Sequence, residues 1–393
     1  MSRRPPLPLI FAVTVTGIMA NSLVSPALPD ILDEFGRSDA ASGVLVASGS
    51  LPGIIVAPLV GVAADRLGRK TVLVPCLLIF GIFGLAGAFA PTFELLVLSR
   101  LLLGFGSAGL INLAVVMIGD NWSGADRTRM IGRNSAVLTT GLATMPLISG
   151  VVTELTSWRV AFGLYGLGIA TAAAVMVLLD NHKPAQATDL RGQLRDSVEL
   201  LKTPVLRTTL FSGTAIFAII FGVFLTAFPL HLEQRFGLSA GWRGAVLAVP
   251  ALSSTLVAMN IAGLRSRLGL RGLLVAGSAL FAASFVAMGT TPVLALAVIA
   301  AFAYGLGEGA LIPTLQDVAA SVPPDHLRGG ALAAWVGAAR LGQSSGPLLA
   351  TPLIAVGGTG ATIIFGGTAA AGILAVKLWG PLDDRRLEAA RSA

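Results

Sequence analysis

Three ionisable side chains lie within long apolar stretches of this sequence: Arg100, Glu308 and Arg340. A charge inside a membrane-length apolar helix is costly and usually faces a partner or a water-filled cavity. Counted at about 1.5 Å per residue from the ends of their stretches, Glu308 and Arg340 differ by about 3 Å in depth on consecutive antiparallel helices. We therefore expect an ion pair between them. A carboxyl beside an arginine can change its protonation when a ligand moves, as a proton-coupled step requires; the alternative is a static pair that only fixes helix packing.

Arg100 lies about 13 Å from the outer end of its helix, and the first half of the sequence has no acid at that depth. Asn21, in the first apolar stretch, lies at a similar height and can accept hydrogen bonds from the guanidinium. We expect this contact to orient Arg100 for a functional role. The alternative is a purely structural tie between two helices.

A short polar hairpin separates two apolar runs, and it contains Gly61, Asp65, Arg66, Gly68, Arg69 and Lys70. Glycine permits the tight turn, and the basic residues are expected to hold the hairpin on the cytoplasmic side of a membrane. Asp65 is an acid among these basic residues and requires a partner. The expected partner is the N-terminus of the helix that starts near residues 328–330, because a helix N-terminus attracts anions.

The composition requires that most of the chain lies in lipid. Of 393 residues, 54% are apolar and 12% are charged, with a mean hydropathy of +0.83, whereas a soluble domain carries about 25% charged residues. Twelve apolar runs have membrane-spanning length, near residues 7–29, 41–62, 71–90, 92–118, 131–152, 158–179, 207–229, 243–263, 271–290, 293–317, 329–353 and 358–379. These runs predict an all-α membrane protein with twelve transmembrane helices.

The distribution of Lys and Arg predicts the orientation of the chain. With both termini cytoplasmic, the only basic loop residues outside are Arg37, Arg159, Arg235 and Arg243, as expected when positive charge favours the inner side. Residues 181–206 form the one long polar segment, and their spaced leucines predict an amphipathic helix on the inner surface. The sequence thus predicts an N-terminal bundle at 1–180, a cytoplasmic linker at 181–206 and a C-terminal bundle at 207–393.

The two halves of the chain are related by a repeat with an offset of 201 residues. Five landmarks recur at this offset: Phe35-Gly36 with Phe236-Gly237, Leu67-Gly68 with Leu268-Gly269, Pro91 with Pro292, Gly104 and Gly106 with Gly305 and Gly307, and Pro146 with Pro347. The repeat predicts two pseudo-symmetric six-helix bundles in the same orientation, with a substrate site at mid-depth between them. It differs where function should differ: Asp65 corresponds to Ser266, Arg100 to Ala301 and Glu308 to Ser107.

The polar hairpin resembles the loop signature of the major facilitator superfamily, G-x-x-x-D-R-x-G-R-[RK], and matches it at every position. The run Arg100-x-x-x-Gly104-x-Gly106 resembles the basic motif in the fourth helix of that family. The resemblance implies a transporter whose two bundles rock about a central site, with Asp65 closing a cytoplasmic gate.

Two further elements resemble those of the twelve-helix drug/proton antiporters. Pro26-Ala-Leu-Pro29-Asp30 resembles a P-x-x-P element at the end of the first helix, although Asp30 can also be simply hydrated. The other element, G-x-x-x-G-P-x-x-G-G, has imperfect copies in the fifth and eleventh helices, with Met145 and Ser149 replacing glycines in the first. Its matched positions are Gly141, Pro146, Gly150, Gly342, Gly346 and Pro347.

The resemblance implies proton-coupled export of small hydrophobic or drug-like compounds, and the alternative is a proton-coupled importer or facilitator of a small metabolite. Four aromatic side chains on presumed cavity helices suit apolar substrates, although each can equally pack internally or face lipid: Phe217, Phe221, Tyr304 and Trp335. The expected partners are a small-molecule substrate, protons and the lipid bilayer. The chain is expected to act as a monomer in a bacterial-type inner membrane.

Other functional classes fit the sequence poorly. The G-x-G-x-x-G at Gly104, Gly106 and Gly109 lies in a membrane helix, whereas a dinucleotide site requires it directly after a strand. The G-x-S-x-G around Ser344 has no histidine nearby in an apolar run, as a serine hydrolase would need. The net charge of +7 lies in loops that flank the membrane, which argues against nucleic acid. The single Cys76 rules out a disulfide framework, and we expect no enzyme activity, cofactor or metal site.

Overall fold

The computed structural model describes residues 4–180, 192, 202–323 and 327–382, and the regular elements in these ranges are all helical. We number the long helices in chain order as α1 Leu7–Glu34, α2 Asp39–Leu67, α3 Arg69–Ala88, α4 Phe93–Asn121, α5 Gly124–Leu155, α6 Trp158–Leu178, α7 Pro204–Phe236, α8 Ala240–Thr290, α9 Leu294–Ser321 and α10 Arg328–Trp379. Each is long and apolar enough to cross a membrane. The predicted amphipathic linker helix lies outside the described residues.

Two of these helices contain two spans each. α8 has 51 residues and α10 has 52, whereas about 20 residues span a bilayer. Each is interrupted by a non-helical glycine, Gly269 at φ 67° and ψ 175° in α8 and Gly358 at φ 74° and ψ 179° in α10. Only glycine adopts such a backbone readily, so each glycine marks a boundary between spans. The ten helices of the described ranges therefore supply the twelve spans that the sequence predicts.

The chain forms two compact units. The first contains Met1–Ser38, Val44–Leu190 and Ser239–Ala245, and the second contains Asp39–Gly43, Arg191–Leu238 and Val246–Ala393. Each unit therefore includes one short segment from the other half of the sequence. The two exchanged segments correspond at the offset of 201 residues, so the exchange itself follows the repeat, although the sequence did not predict it.

The backbone repeats with the same offset. Gly36 and Gly237 have φ values of 58° and 64°, and Gly68 and Gly269 have φ values of 96° and 67°. All four end one helix before the next begins, where a residue with a Cβ would be strained. The turns that follow the first and second spans of each half thus have the same conformation.

Helix packing repeats as well. A Cβ on Gly106 in α4 would collide with the backbone of Cys76 in α3. At the equivalent place, a Cβ on Gly307 in α9 would lie 2.8 Å from the carbonyl oxygen of Gly277 and 3.0 Å from the amide nitrogen of Phe281 in α8. Small residues at helix interfaces let backbones approach closely in lipid, where van der Waals packing drives association. The same close contact therefore holds together corresponding helices of each half.

The substitution Gly106→Ala should destabilise the protein because the added methyl group pushes α4 away from α3. Overpacking of this kind costs about 1–3 kcal/mol, which should lower the thermal midpoint of the detergent-solubilised protein by several degrees. Gly132→Ala in α5 is the matched control, since nothing lies within 4 Å of a Cβ there. Equal thermal midpoints for the two variants would contradict the close contact.

Candidate functional site

Arg100 is an arginine buried in the first unit, with only 1% of its surface exposed. Its Nη2 donates to Asn21 Oδ1 at 3.0 Å, the hydrogen bond that the sequence predicts. Its Nη1 donates to the Tyr165 hydroxyl at 2.7 Å, and this hydroxyl in turn donates to the carbonyl oxygen of Ala20 at 3.3 Å. A buried guanidinium is costly unless its donors are satisfied. The Arg100 guanidinium in α4 therefore donates to two neutral oxygen acceptors, one from α1 and one from α6.

The approach to Arg100 depends on a glycine. A Cβ on Gly49 in α2 would lie 2.5 Å from Arg100 Nη2, so only glycine leaves room for the guanidinium at this depth. Tyr165 is fixed from the other side by edge-to-face contacts with Phe80 and Phe162, at ring distances of 5.4 and 5.3 Å. The cluster is a rigid anchor for one cation inside an apolar unit.

Glu308 in α9 has a different partner from the one that depth along the helices predicts. The Tyr304 hydroxyl, one helical turn earlier, donates a hydrogen bond to the Glu308 carboxylate. An ion pair of Glu308 with Arg340 is not among those formed by the described residues, so the predicted pairing is wrong. Arg340 Nη1 donates to Gln343 Oε1 at 3.3 Å on its own helix. Counting residues along a helix gives the depth of a side chain in the membrane but not the direction in which it points around the helix axis. Glu308 therefore bonds the Tyr304 hydroxyl on its own helix and not Arg340 on the next one.

The four aromatic residues that were predicted to face a cavity all lie in the second unit, where their surroundings differ. Tyr304 is 1% exposed and stacks on Phe224 at a ring distance of 4.5 Å, so it is a packed residue with one polar end at Glu308. Phe217 contacts Trp335 edge to face at 6.3 Å. Phe221 lies in a π-helical stretch of α7, Ile220–Ala227, a local widening of the helix that often occurs at functional sites.

The polar hairpin forms an ion-pair network inside the first unit. Gly68 makes the turn at φ 96°. Arg69, at the start of α3, donates through Nη1 to Asp65 and through Nε to Asp120 Oδ2 at 2.9 Å. One guanidinium therefore joins the ends of α2, α3 and α4. The predicted contact of Asp65 with the N-terminus of the helix that starts near residues 328–330 stays a prediction.

Asp30 is an ion-pair partner rather than a hydrated helix end. Arg243 donates through Nη2 to Asp30 and through Nε to the carbonyl oxygen of Pro26 at 2.8 Å. Arg243 belongs to the exchanged segment of the first unit and is 2% exposed. Pro26 is part of a 3-10 turn that interrupts α1, which leaves its carbonyl available as an acceptor.

The antiporter-like elements act as close-contact sites. In the first unit, a Cβ on Gly150 would collide with the carbonyl oxygen of Ala240, and the Pro146 carbonyl oxygen lies equally close to Gly244. In the second unit, Gly342 and Gly346 of α10 lie against the backbone of α7, and the carbonyl oxygen of Pro347 lies against Gly43. Each proline and its glycines thus place helices in backbone contact.

Three residues of the candidate site were not predicted from the sequence: Tyr165, Asp120 and Arg243. Tyr165 is one of only two tyrosines in the chain and lies at the depth of Arg100, which was a usable signal. Asp120 is an acid at the end of a span, close to a basic hairpin, and this position was also a usable signal. Arg243 gave none, since its burial results from the exchange of segments. Among the described residues no cluster of His, Cys, Asp and Glu side chains could hold a metal ion.

Comparison with known proteins gives consistent matches. A family model described as Major Facilitator Superfamily matches residues 10–269 and 210–393. The class B tetracycline resistance protein of Escherichia coli is 29% identical over 360 residues, covering 87% of this chain and 86% of that protein. The quinolone resistance protein NorA of Staphylococcus aureus is 31% identical over 220 residues, covering 56% and 52%. Multidrug resistance protein 1 of Bacillus subtilis is 27% identical over 239 residues, and the match spans 60% of its length.

Solved structures share the fold. The nucleoside transporter NupG has a TM-score of 0.77 at 14% identity, covering 95% of this chain and 98% of its own. A bacterial homolog of the human lysosomal transporter Spinster has a TM-score of 0.76 at 16% identity, covering 98% and 96%. At such low identity these likenesses concern the fold alone.

Tyr165→Phe should destabilise the protein while keeping the ring packing against Phe80 and Phe162. The change leaves a buried guanidinium donor without its acceptor, which costs about 1–3 kcal/mol. Thermal unfolding in detergent measures the loss, and Thr139→Val, which removes an exposed hydroxyl, is the control. If Tyr165→Phe is as stable as this control, the Tyr165 hydroxyl is not a required acceptor.

Proposed function

Since the chain belongs to the Major Facilitator Superfamily, we propose that it is a proton-coupled secondary transporter that exports small hydrophobic or drug-like compounds by alternating access. The efflux proteins among its relatives support the direction of transport and the substrate class, at 27–31% identity. The fold offers no nucleotide site among its described residues, so an ion gradient is the energy source in this proposal. In this proposal, the functional groups are Arg100 with its hydrogen-bond partners in the first unit and Glu308 with Tyr304 in the second unit.

The observation that carries the proposal is the position of Glu308. It is a carboxyl in the middle of α9, remains partly exposed, and has a hydroxyl rather than a cation as its hydrogen-bond partner. A carboxyl without a bonded counter-charge can exist as the neutral acid in an apolar environment and as the anion when water or a cationic group approaches. Glu308 can thereby bind and release one proton in each transport cycle. Arg340 and the pair of Phe217 and Trp335 contribute the polar and aromatic surfaces of the second unit.

Arg100 and Asn21 have a positioning role in this mechanism. The guanidinium is enclosed in the first unit and held by two neutral acceptors from other helices. A fixed cation at this depth favours the anionic form of a carboxyl group near it and attracts the anionic end of a polar substrate. The repeat has an alanine at the corresponding place in the second half, so this charge acts from one half only.

The network of Asp65, Arg69 and Asp120 is proposed as the cytoplasmic latch. An ion-pair network that is only partly buried can open and close at moderate cost, and this one joins the ends of three spans. In this proposal both termini are cytoplasmic, the protein resides in a bacterial-type inner membrane, and it works as a monomer.

The alternative function is proton-coupled import or facilitation of a small metabolite. The direction of flux under an imposed pH gradient in liposomes separates the two. A screen for growth protection against varied toxic compounds should supply the substrate for this measurement. No flux of any protective compound in liposomes would argue against both forms of the proposal.

Glu308→Gln should abolish substrate-driven proton movement in liposomes, because glutamine resembles the neutral acid but cannot release a proton. Exchange of labelled for unlabelled substrate without a gradient should persist, since it needs no net proton transfer. Glu94→Gln, at an acid that is 67% exposed, is the control and should retain coupling. Unchanged proton movement in Glu308→Gln would remove this residue from the coupling step.

Asp65→Asn should slow transport by about tenfold at normal expression. The variant loses a charge-assisted hydrogen bond worth about 1.5–3 kcal/mol that stabilises the latched state, and the inward-open state should gain population. Maleimide labelling of single cysteines placed on the cytoplasmic side reports that shift. Labelling rates equal to those of the parent protein would refute the latch.

A further inference from the structure

The repeat differs at a position that decides how closely two helices approach. Gly346 in α10 corresponds to Met145 in α5 at the offset of 201 residues, and Gly342 corresponds to Gly141. The two halves therefore share a first glycine, while the second half has glycine and the first half has a long side chain four residues later. Positions four apart lie on the same face of a helix, so this difference affects one helix interface in each unit.

In the second unit both glycines lie against the backbone. A Cβ on Gly342 would collide with the carbonyl oxygen of Thr214 in α7, and a Cβ on Gly346 would collide with the carbonyl oxygen of Ala218 in the same helix. Thr214 Oγ1 also donates across this interface to the carbonyl oxygen of Ala338 at 3.1 Å. The two helices are in direct main-chain contact along this face.

In the first unit the corresponding interface is wider. The atoms near a Cβ on Gly141 belong to the side chain of Ile18, the nearest being Cδ1 at 2.7 Å, and none belongs to the backbone of α1. Met145 is partly exposed beside this glycine. A groove of about 270 Å³, open on one side, lies at this place. Its lining includes Val15 from α1 and Ala136, Thr140, Gly141, Thr144 and Met145 from α5.

We propose that Met145 acts as a spacer that opens a binding pocket for a neutral aromatic molecule between α1 and α5. This inference deepens the proposed function, on which it rests, by giving the exported compounds a first contact in the N-terminal unit. Methionine suits the purpose because its flexible, polarizable side chain adapts to ligands and makes favourable contacts with aromatic rings.

The lining decides the chemistry of the ligand. None of the lining residues is charged, so an ionic ligand would lose its hydration without compensation. The two threonine hydroxyls can each offer one hydrogen bond to a polar substituent. An apolar cavity of about 150 Å³ holds benzene, so a volume of 270 Å³ suits a molecule of two rings, or one end of a larger compound.

The test uses N-phenyl-1-naphthylamine, a neutral molecule with a fused two-ring group and a phenyl ring, as the probe. Cys76 is the only cysteine and is buried, so Thr144→Cys in a Cys76→Ser background places one reactive thiol at the pocket. The probe should protect this thiol from N-ethylmaleimide in the full-length protein in nanodiscs. Leu142→Cys in the same background is the control for probe dissolved in lipid, because this side chain is 43% exposed and does not line the groove.

Three further substitutions, one of them a folding control, test the role of Met145. Met145→Trp should fill the pocket and raise the probe concentration for half-protection at least tenfold. Met145→Gly should also raise it, because α5 can then approach α1 as α10 approaches α7. Met145→Leu, of similar volume, should stay within about twofold, and it reports a variant that folds normally.

If the probe protects the Thr144→Cys and Leu142→Cys thiols equally from N-ethylmaleimide, the proposed binding pocket is refuted. Protection in Met145→Gly that is unchanged or stronger would overturn the role of Met145 as a spacer. The measurement needs no proton gradient and no transport. A failure of proton coupling or of export would therefore leave its result unchanged, and the inference and the proposed function can fail separately.

Discussion

Close helix contact in this chain depends on glycines that lie against the backbone of a neighbouring helix. Between helices in lipid there is no hydrophobic driving force, so association depends on van der Waals packing and interhelical hydrogen bonds. Gly106 and Gly307 provide such contacts at equivalent places. The two charged side chains of the candidate site lie close to them in sequence: Arg100 is six residues before Gly106, and Glu308 directly follows Gly307. The depth and rotation of both charges are therefore fixed by main-chain contacts.

The two halves share this frame but differ in the charges that it carries. The first unit encloses a guanidinium whose Nη1 and Nη2 donate to neutral oxygen atoms from two other helices, while its buried Nε has no hydrogen-bond partner among the described residues. The second unit carries a carboxyl whose partner is a tyrosine hydroxyl on the same helix. The enclosed guanidinium and the carboxyl that we propose as the proton-exchanging group thus lie in different halves. A duplicated frame can carry such different chemistry because helix contacts involve glycine backbone, which leaves the neighbouring side-chain positions open to change.

The pairings predicted from the sequence succeeded or failed for one physical reason. Depth along a helix follows from a rise of about 1.5 Å per residue, which was enough to match Arg100 with Asn21. The same reasoning paired Glu308 with Arg340 incorrectly, because equal depth does not bring two side chains together unless both helices are rotated toward each other. Tyr304 lies one turn from Glu308 and needs no second helix. Asp65 bonds Arg69 within its own hairpin, and its predicted contact with the helix that starts near residues 328–330 stays a prediction.

Twelve spans, their approximate limits, the repeat and the turn at Gly68 followed from the sequence alone. Each depends on local chemistry: apolar length, the position of charge, and the conformations that only glycine adopts readily. The burial of Arg243 against Asp30, the junction of three helix ends at Arg69 and the wider interface beside Met145 were decided by tertiary structure. Those features depend on helix rotation and on main-chain distances between residues far apart in the chain, and neither leaves a periodic signal in the sequence.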